Sequence, residues 1–192
     1  PCKPTDLFFP DLSLRKPGHA VPVAPMSAEQ LATLLKAERG RFQKGLLAWL
    51  TRAGNPHVAL EHMQTALDNI EATQDSSAAR TFWWVALAFV ESLFDHRPEK
   101  DAESRQLLAR VDTQIRRLLA GSESIAERLL RDVLYAVAQA TTGSSAVVAE
   151  VQSVFGLIDM LPTAAVGPTT LPQEIALRRL RDALVATEDL WN

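Results

Sequence analysis

The sequence predicts an all-α protein, an antiparallel helical bundle preceded by an extended N-terminal arm. Three observations carry this reading. Apolar residues recur at three- and four-residue intervals in one segment after another, and Ser, Pro and Gly stand where those segments start and stop. No convincing alternating strand is present, nor any internal repeat.

The first 26 residues, punctuated by Pro4, Pro10, Pro17, Pro22 and Pro25, cannot form a helix and make up the arm; residues 27–192 make up a bundle of about seven helices. Ser27 caps the first, whose stripe is Leu31, Leu35, Phe42, Leu46, Trp49 and Leu50, and Gly54-Asn55-Pro56 stops it. Pro56 opens the second at the position where a missing N–H costs nothing, with Leu60, Met63, Leu67 and Ile70 as its stripe, and the polar turn at Gln74–Ser77 ends it. The third, from about Ala78 to His96, is apolar on nearly every face and is therefore the most buried. Asp101 opens the fourth, with Leu107, Leu108, Val111, Ile115 and Leu118 inward, Arg105, Arg110, Arg116 and Arg117 outward, and Gly121 as its stop. A fifth follows Ser122 or Ser124 and buries Leu129, Leu130, Val133, Leu134 and Val137. The sixth runs from Ala146 to about Phe155, closed by Gly156 in the left-handed conformation. Residues 157–171 read as a loop, and Pro172 opens a last helix bearing Leu177, Leu180, Leu184 and Trp191. The near-heptad leucines of that last helix suit either its own bundle or a partner helix, so self-association stays open.

Composition removes several function classes. The chain is 47% apolar and 22% charged with a net charge of −3, which gives no electrostatic reason for a nucleic-acid partner. The longest strongly apolar run, Phe82 to Val90, is about half the roughly 20 residues a membrane span needs, so insertion is not expected and a cytoplasmic setting is. Cys2 is the single cysteine and offers neither a bridge nor a metal pair. No phosphate loop, dinucleotide fingerprint, zinc-protease helix or nucleophile elbow occurs, and neither a metal nor a cofactor is expected. The first residue is Pro1 and the last helix carries no stop signal, which suggests a piece of a longer polypeptide.

The imidazoles are His19, His57, His62 and His96. His57 and His62 are five residues apart on one helix, and at roughly 100° per residue they cannot share a metal as an i, i+4 pair could. Phe82, Trp83 and Trp84 could line a pocket, but large aromatics on a helix apolar all round fill a core. The segment Arg41-Phe42-Gln43-Lys44-Gly45 keeps the spacing of the H-x-x-K-G pattern of histidine phosphotransfer domains, with Arg41 in place of the histidine. A guanidinium stays protonated and cannot accept a phosphoryl group, so Arg41, Lys44 and Gly45 are either a degenerate phosphotransfer site or a chance match in which Gly45 serves packing. His62 and His57 remain as unorthodox acceptors.

Five ordered blocks carry a wider resemblance: Leu7-Phe8-Phe9-Pro10-Asp11-Leu12-Ser13, Gly45-Leu46-Leu47-Ala48-Trp49-Leu50, Phe82-Trp83-Trp84-Val85-Ala86, Leu129-Leu130-Arg131-Asp132-Val133-Leu134-Tyr135 and Val154-Phe155-Gly156-Leu157. Together, from about Thr5 to Leu161, they resemble the non-catalytic, phosphotransfer-like region near the N-terminus of the chemotaxis-type hybrid histidine kinase of type IV pilus systems. They resemble equally the stand-alone FimL-like proteins related to that region. The resemblance implies a phosphotransfer-like bundle with additional helices, non-enzymatic in this region, inside a phosphorelay that controls pili and twitching motility. It implies a response regulator or a polar hub protein as partner, contacts with other domains of the parent chain, and recruitment to the cell pole. FimL-like members lack the phosphorylatable histidine, in keeping with Arg41.

The arm then has two readings. Either Phe8 and Phe9 bury their rings against the bundle while the prolines limit the entropy lost on docking, or Phe8, Phe9, Asp11 and Leu12 form a free linear motif for a partner.

Overall fold

The computed structural model describes residues 8–18, 26–95, 101–122, 124–141 and 145–161. The described unit ends at Leu161, and the helix expected from Pro172 lies outside it, as do Cys2, Pro4, His19 and His96. The described residues are all-α: α1 (Ala28–Thr51), α2 (Pro56–Ala72), α3 (Ser77–Ser92), α4 (Asp101–Leu119), α5 (Glu127–Ala138), α6 (Ala146–Phe155) and α7 (Leu157–Met160). A 3-10 turn at Leu93–Asp95 extends α3.

The caps explain the boundaries. The Ser27 side chain accepts from the Gln30 N–H and the Gln30 side chain accepts from the Ser27 N–H, a reciprocal pair that satisfies two orphan donors. Asn55 caps α2 ahead of Pro56, Ser76 caps α3, and Ser145 caps α6 through the Val147 and Val148 N–H groups. The fifth helix starts later than Ser122 or Ser124 suggest: Ala126 is its cap residue and gives no side-chain hydrogen bond. Gln114 of α4 explains the delay, because its amide donates to the Ser124 carbonyl at 2.7 Å and holds that stretch extended. Gly156, at φ 59°, closes α6 as expected, but the chain then makes the short helix α7 where a loop was expected. Leu157 is fully buried and anchors that turn.

Helix α3 is the centre. Every residue from Thr81 to Val90 is buried, and α2, α5 and α6 pack against it. Phe82 and Trp83 meet edge to face with centroids 4.8 Å apart, and Trp84 lies 6.5 Å from Phe155 of α6. The aromatic triplet is therefore core. Helix α1 packs on α2, α2 on α3, α3 on α5, α5 on α4 and α4 back on α1, so α3 is one member of a closed ring of five helices.

Polar pairs set the register between helices. Arg39 of α1 grips Asp112 of α4 with two hydrogen bonds of 3.1 and 3.0 Å. Gln64 of α2 donates to Glu91 of α3 at 2.8 Å, and the Ser145 hydroxyl donates to the other oxygen of the same carboxylate. Arg110, expected on a solvated face, is half-buried and reaches Asp132 of α5 at 2.5 Å. Side-chain charge alternation along α4 hid that pairing, because a neighbouring helix supplies the partner.

Candidate functional site

Helix α1 carries the three residues that mimic the phosphotransfer pattern, and the fold gives them different surroundings. Arg41 is exposed and its Nε donates to Glu38 Oε2 one turn earlier at 3.0 Å. Lys44 is exposed. Gly45 is buried in the contact between α1 and α2: a Cβ there would lie 2.5 Å from the Ala59 carbonyl oxygen and 3.0 Å from both His62 Cβ and Met63 Cγ. The absent side chain serves intramolecular helix packing, so this glycine offers no open surface to a docking protein.

His62 is half-buried beside Gly45, while His57 is exposed at the start of α2 with its ring 5.4 Å from Phe94. No group of three or more metal-ligating side chains occurs among the described residues. No helix among them is long and apolar enough to cross a membrane.

The arm, residues 8–18, alternates in burial like a strand, with no strand partner among the described residues. Phe8 and Pro10 are buried and Leu12, Leu14 and Lys16 half-buried, whereas Phe9, Asp11, Ser13, Arg15 and Pro17 face outward. Extended backbone sends successive side chains to opposite sides, so the two phenylalanines cannot both enter the core. Phe8 enters: it is 2% exposed and meets Tyr135 of α5 edge to face at 5.3 Å. Phe9, for which burial was one expectation, is 69% exposed, with the guanidinium of Arg131 of α5 at 5.6 Å from its ring centroid. Leu12 packs on the edge of the core.

One feature shapes the arm and a second ties it to the bundle. Asp11 accepts hydrogen bonds from the Ser13 hydroxyl at 2.5 Å and from the Ser13 N–H at 2.8 Å, a local turn that also holds its carboxyl below the usual carboxylate range. Further along, the Lys16 N–H donates to Thr81 Oγ1 of α3 at 2.9 Å, and its ammonium reaches Glu71 Oε1 of α2 at 2.5 Å, 6.0 Å from the centre of the Trp84 ring. Burial against Phe8 raises the Tyr135 phenol above its ordinary value, with a smaller push from Glu103.

Reading the sequence alone missed Lys16, Glu71, Thr81 and Arg131 as arm contacts. One signal was present: Glu71 stands four residues after Leu67 inside the apolar stripe of α2, where a carboxylate needs a cation from elsewhere.

The family model for the FimL scaffold protein second domain matches residues 27–167. The chain belongs to that family. Scaffold protein FimL of Pseudomonas aeruginosa is 32% identical over 142 residues, a match that covers 72% of this chain and 25% of the relative. The chain therefore spans about a quarter of that protein's length. No solved structure matches it. Of the two resemblances carried by the ordered blocks, the match falls on the FimL side, and the described arm lies ahead of the matched residues.

Proposed function

We propose that this chain is a pseudo-phosphotransfer docking module of a scaffold in a type IV pilus signalling system, acting through protein–protein contacts and accepting no phosphoryl group itself. The carrying observation is Arg41, which stands where the pattern needs a histidine and is already engaged with Glu38. Family membership supports the scaffold role. The enclosed Gly45 supports the loss of the transfer surface, since a phosphotransfer partner would need that side of α1 open. Its partners are a response regulator or a polar hub protein of the pilus system, with further contacts to other domains of the parent chain. The setting is the cytoplasm, with recruitment to the cell pole.

The test is phosphotransfer from an active kinase core of the same system in the presence of labelled ATP, with a working histidine phosphotransfer domain in the same tube. The expected result is label on the control and no acid-labile phosphate on this chain. Label that disappears on His62→Gln or His57→Gln overturns the reading and makes the chain a relay component.

A further inference from the structure

We propose that Phe9 and Arg131 together form a docking platform for an acidic, apolar segment of a partner protein, with a carboxylate on the guanidinium and an apolar side chain on the ring. The proposal rests on the docking role above and names where and with what chemistry docking occurs.

Phe9 is the most exposed of the large apolar side chains among the described residues. It is also held: Phe8 and Pro10, its neighbours on either side, are buried, so the backbone beneath the ring is fixed and little entropy remains to be lost on binding. Under the ring lies Arg131, whose Nε is buried without an acceptor. Buried donors are nearly always satisfied, and a guanidinium has five N–H donors to place. Among the described residues Arg131 makes no ion pair, and the adjacent Asp132 is already held by Arg110. Among the described residues, the half-buried cation thus keeps unfilled donor capacity next to an exposed aromatic face. A carboxylate matches the planar fork of Arg and is drawn to it by charge. With a net charge of −3 on the chain, no broad positive field surrounds Arg131, which favours one discrete carboxylate over a polyanion. Aromatic residues and Arg are enriched in protein interfaces.

The probe is a displayed library of short random peptides, panned on the whole chain and then on its Phe9→Ala and Arg131→Glu variants. Enrichment of peptides that set Asp or Glu beside Leu, Met or Phe is expected, with binding on the order of tenfold weaker or more in either variant and melting temperatures unchanged. A selected peptide whose acid is changed to Lys should bind Arg131→Glu better than the original chain. No enrichment for acids, no peptide retained, or binding indifferent to both variants overturns the proposal. A melting temperature lowered by Phe9→Ala as much as by Phe8→Ala also overturns it, because the ring would then be structural. Dimers in sedimentation that vanish in Arg131→Glu would assign the platform to a second copy and overturn the partner assignment. The readout is peptide binding, so a phosphorylated His62 would sink the proposed function and leave this result standing.

Discussion

Removing the charge of Lys16 should loosen the whole arm. Lys16→Met keeps the length of the aliphatic stem and deletes the ammonium that lies over Trp84 and meets Glu71 at 2.5 Å. The Glu71 side chain is only 8% exposed, so its carboxylate would be stranded without a cation, while Lys16 at 27% exposure shows that water reaches part of the pair. Breaking a fully buried pair costs about 3–5 kcal/mol, and partial hydration lowers this to about 2–3 kcal/mol here. For a chain of this length that is a fall in melting temperature of roughly 4–12 °C. Urea unfolding followed by tryptophan fluorescence measures it, since Trp83 and Trp84 are buried and Trp84 lies beneath the ammonium. The loss should persist in high salt, because a shielded pair is screened little. Adding Glu71→Leu to Lys16→Met should restore most of the stability, as replacing both charges by apolar groups is close to neutral. A single variant within about 0.5 kcal/mol of the parent, or a double variant no better than the single, refutes the account of the latch.

Three other outcomes follow from the described contacts. Phe8→Ala should cost about 3 kcal/mol, read by urea unfolding, because the ring leaves a cavity against Tyr135. Gly45→Ala should destabilise by about 1–3 kcal/mol despite better helix propensity, since its Cβ meets the Ala59 carbonyl, whereas Gly40→Ala, with nothing within 4 Å, should stabilise by up to about 1 kcal/mol; thermal unfolding compares the two. The Asp11 carboxyl should titrate below 3.8 by NMR and move back toward it in Ser13→Ala. Its folded value is depressed, so its contribution to stability is present above the ordinary carboxylate range and is lost as pH falls through the folded value.

The positions of α1, α2 and α6 were legible because they are written twice, in the apolar period and in the cap: Ser27, Pro56 and Gly156 stand where these helices begin or end. The start of α5 was not, because a side chain from α4 settles it through the Ser124 carbonyl. The same limit applies to function. That the Arg41 guanidinium cannot accept a phosphoryl group follows from its chemistry alone, but the enclosure of Gly45 depends on which helix lies against it. The arm shows the limit most plainly: two adjacent phenylalanines look alike in sequence, and only the direction of an extended backbone over α5 divides them into an anchor and an exposed ring.

The closed ring of helices also has a kinetic side. Most of its joints link helices close in sequence, but α4 returns to α1 through Arg39 and Asp112, which are 73 residues apart, and the arm reaches α2 through Lys16 and Glu71, which are 55 apart. Contacts between distant residues must overcome more chain entropy before they form. The local hairpin of α1 and α2 can therefore assemble early, while ring closure and arm docking come late. During synthesis, α1 waits with one side uncovered until α4 has emerged.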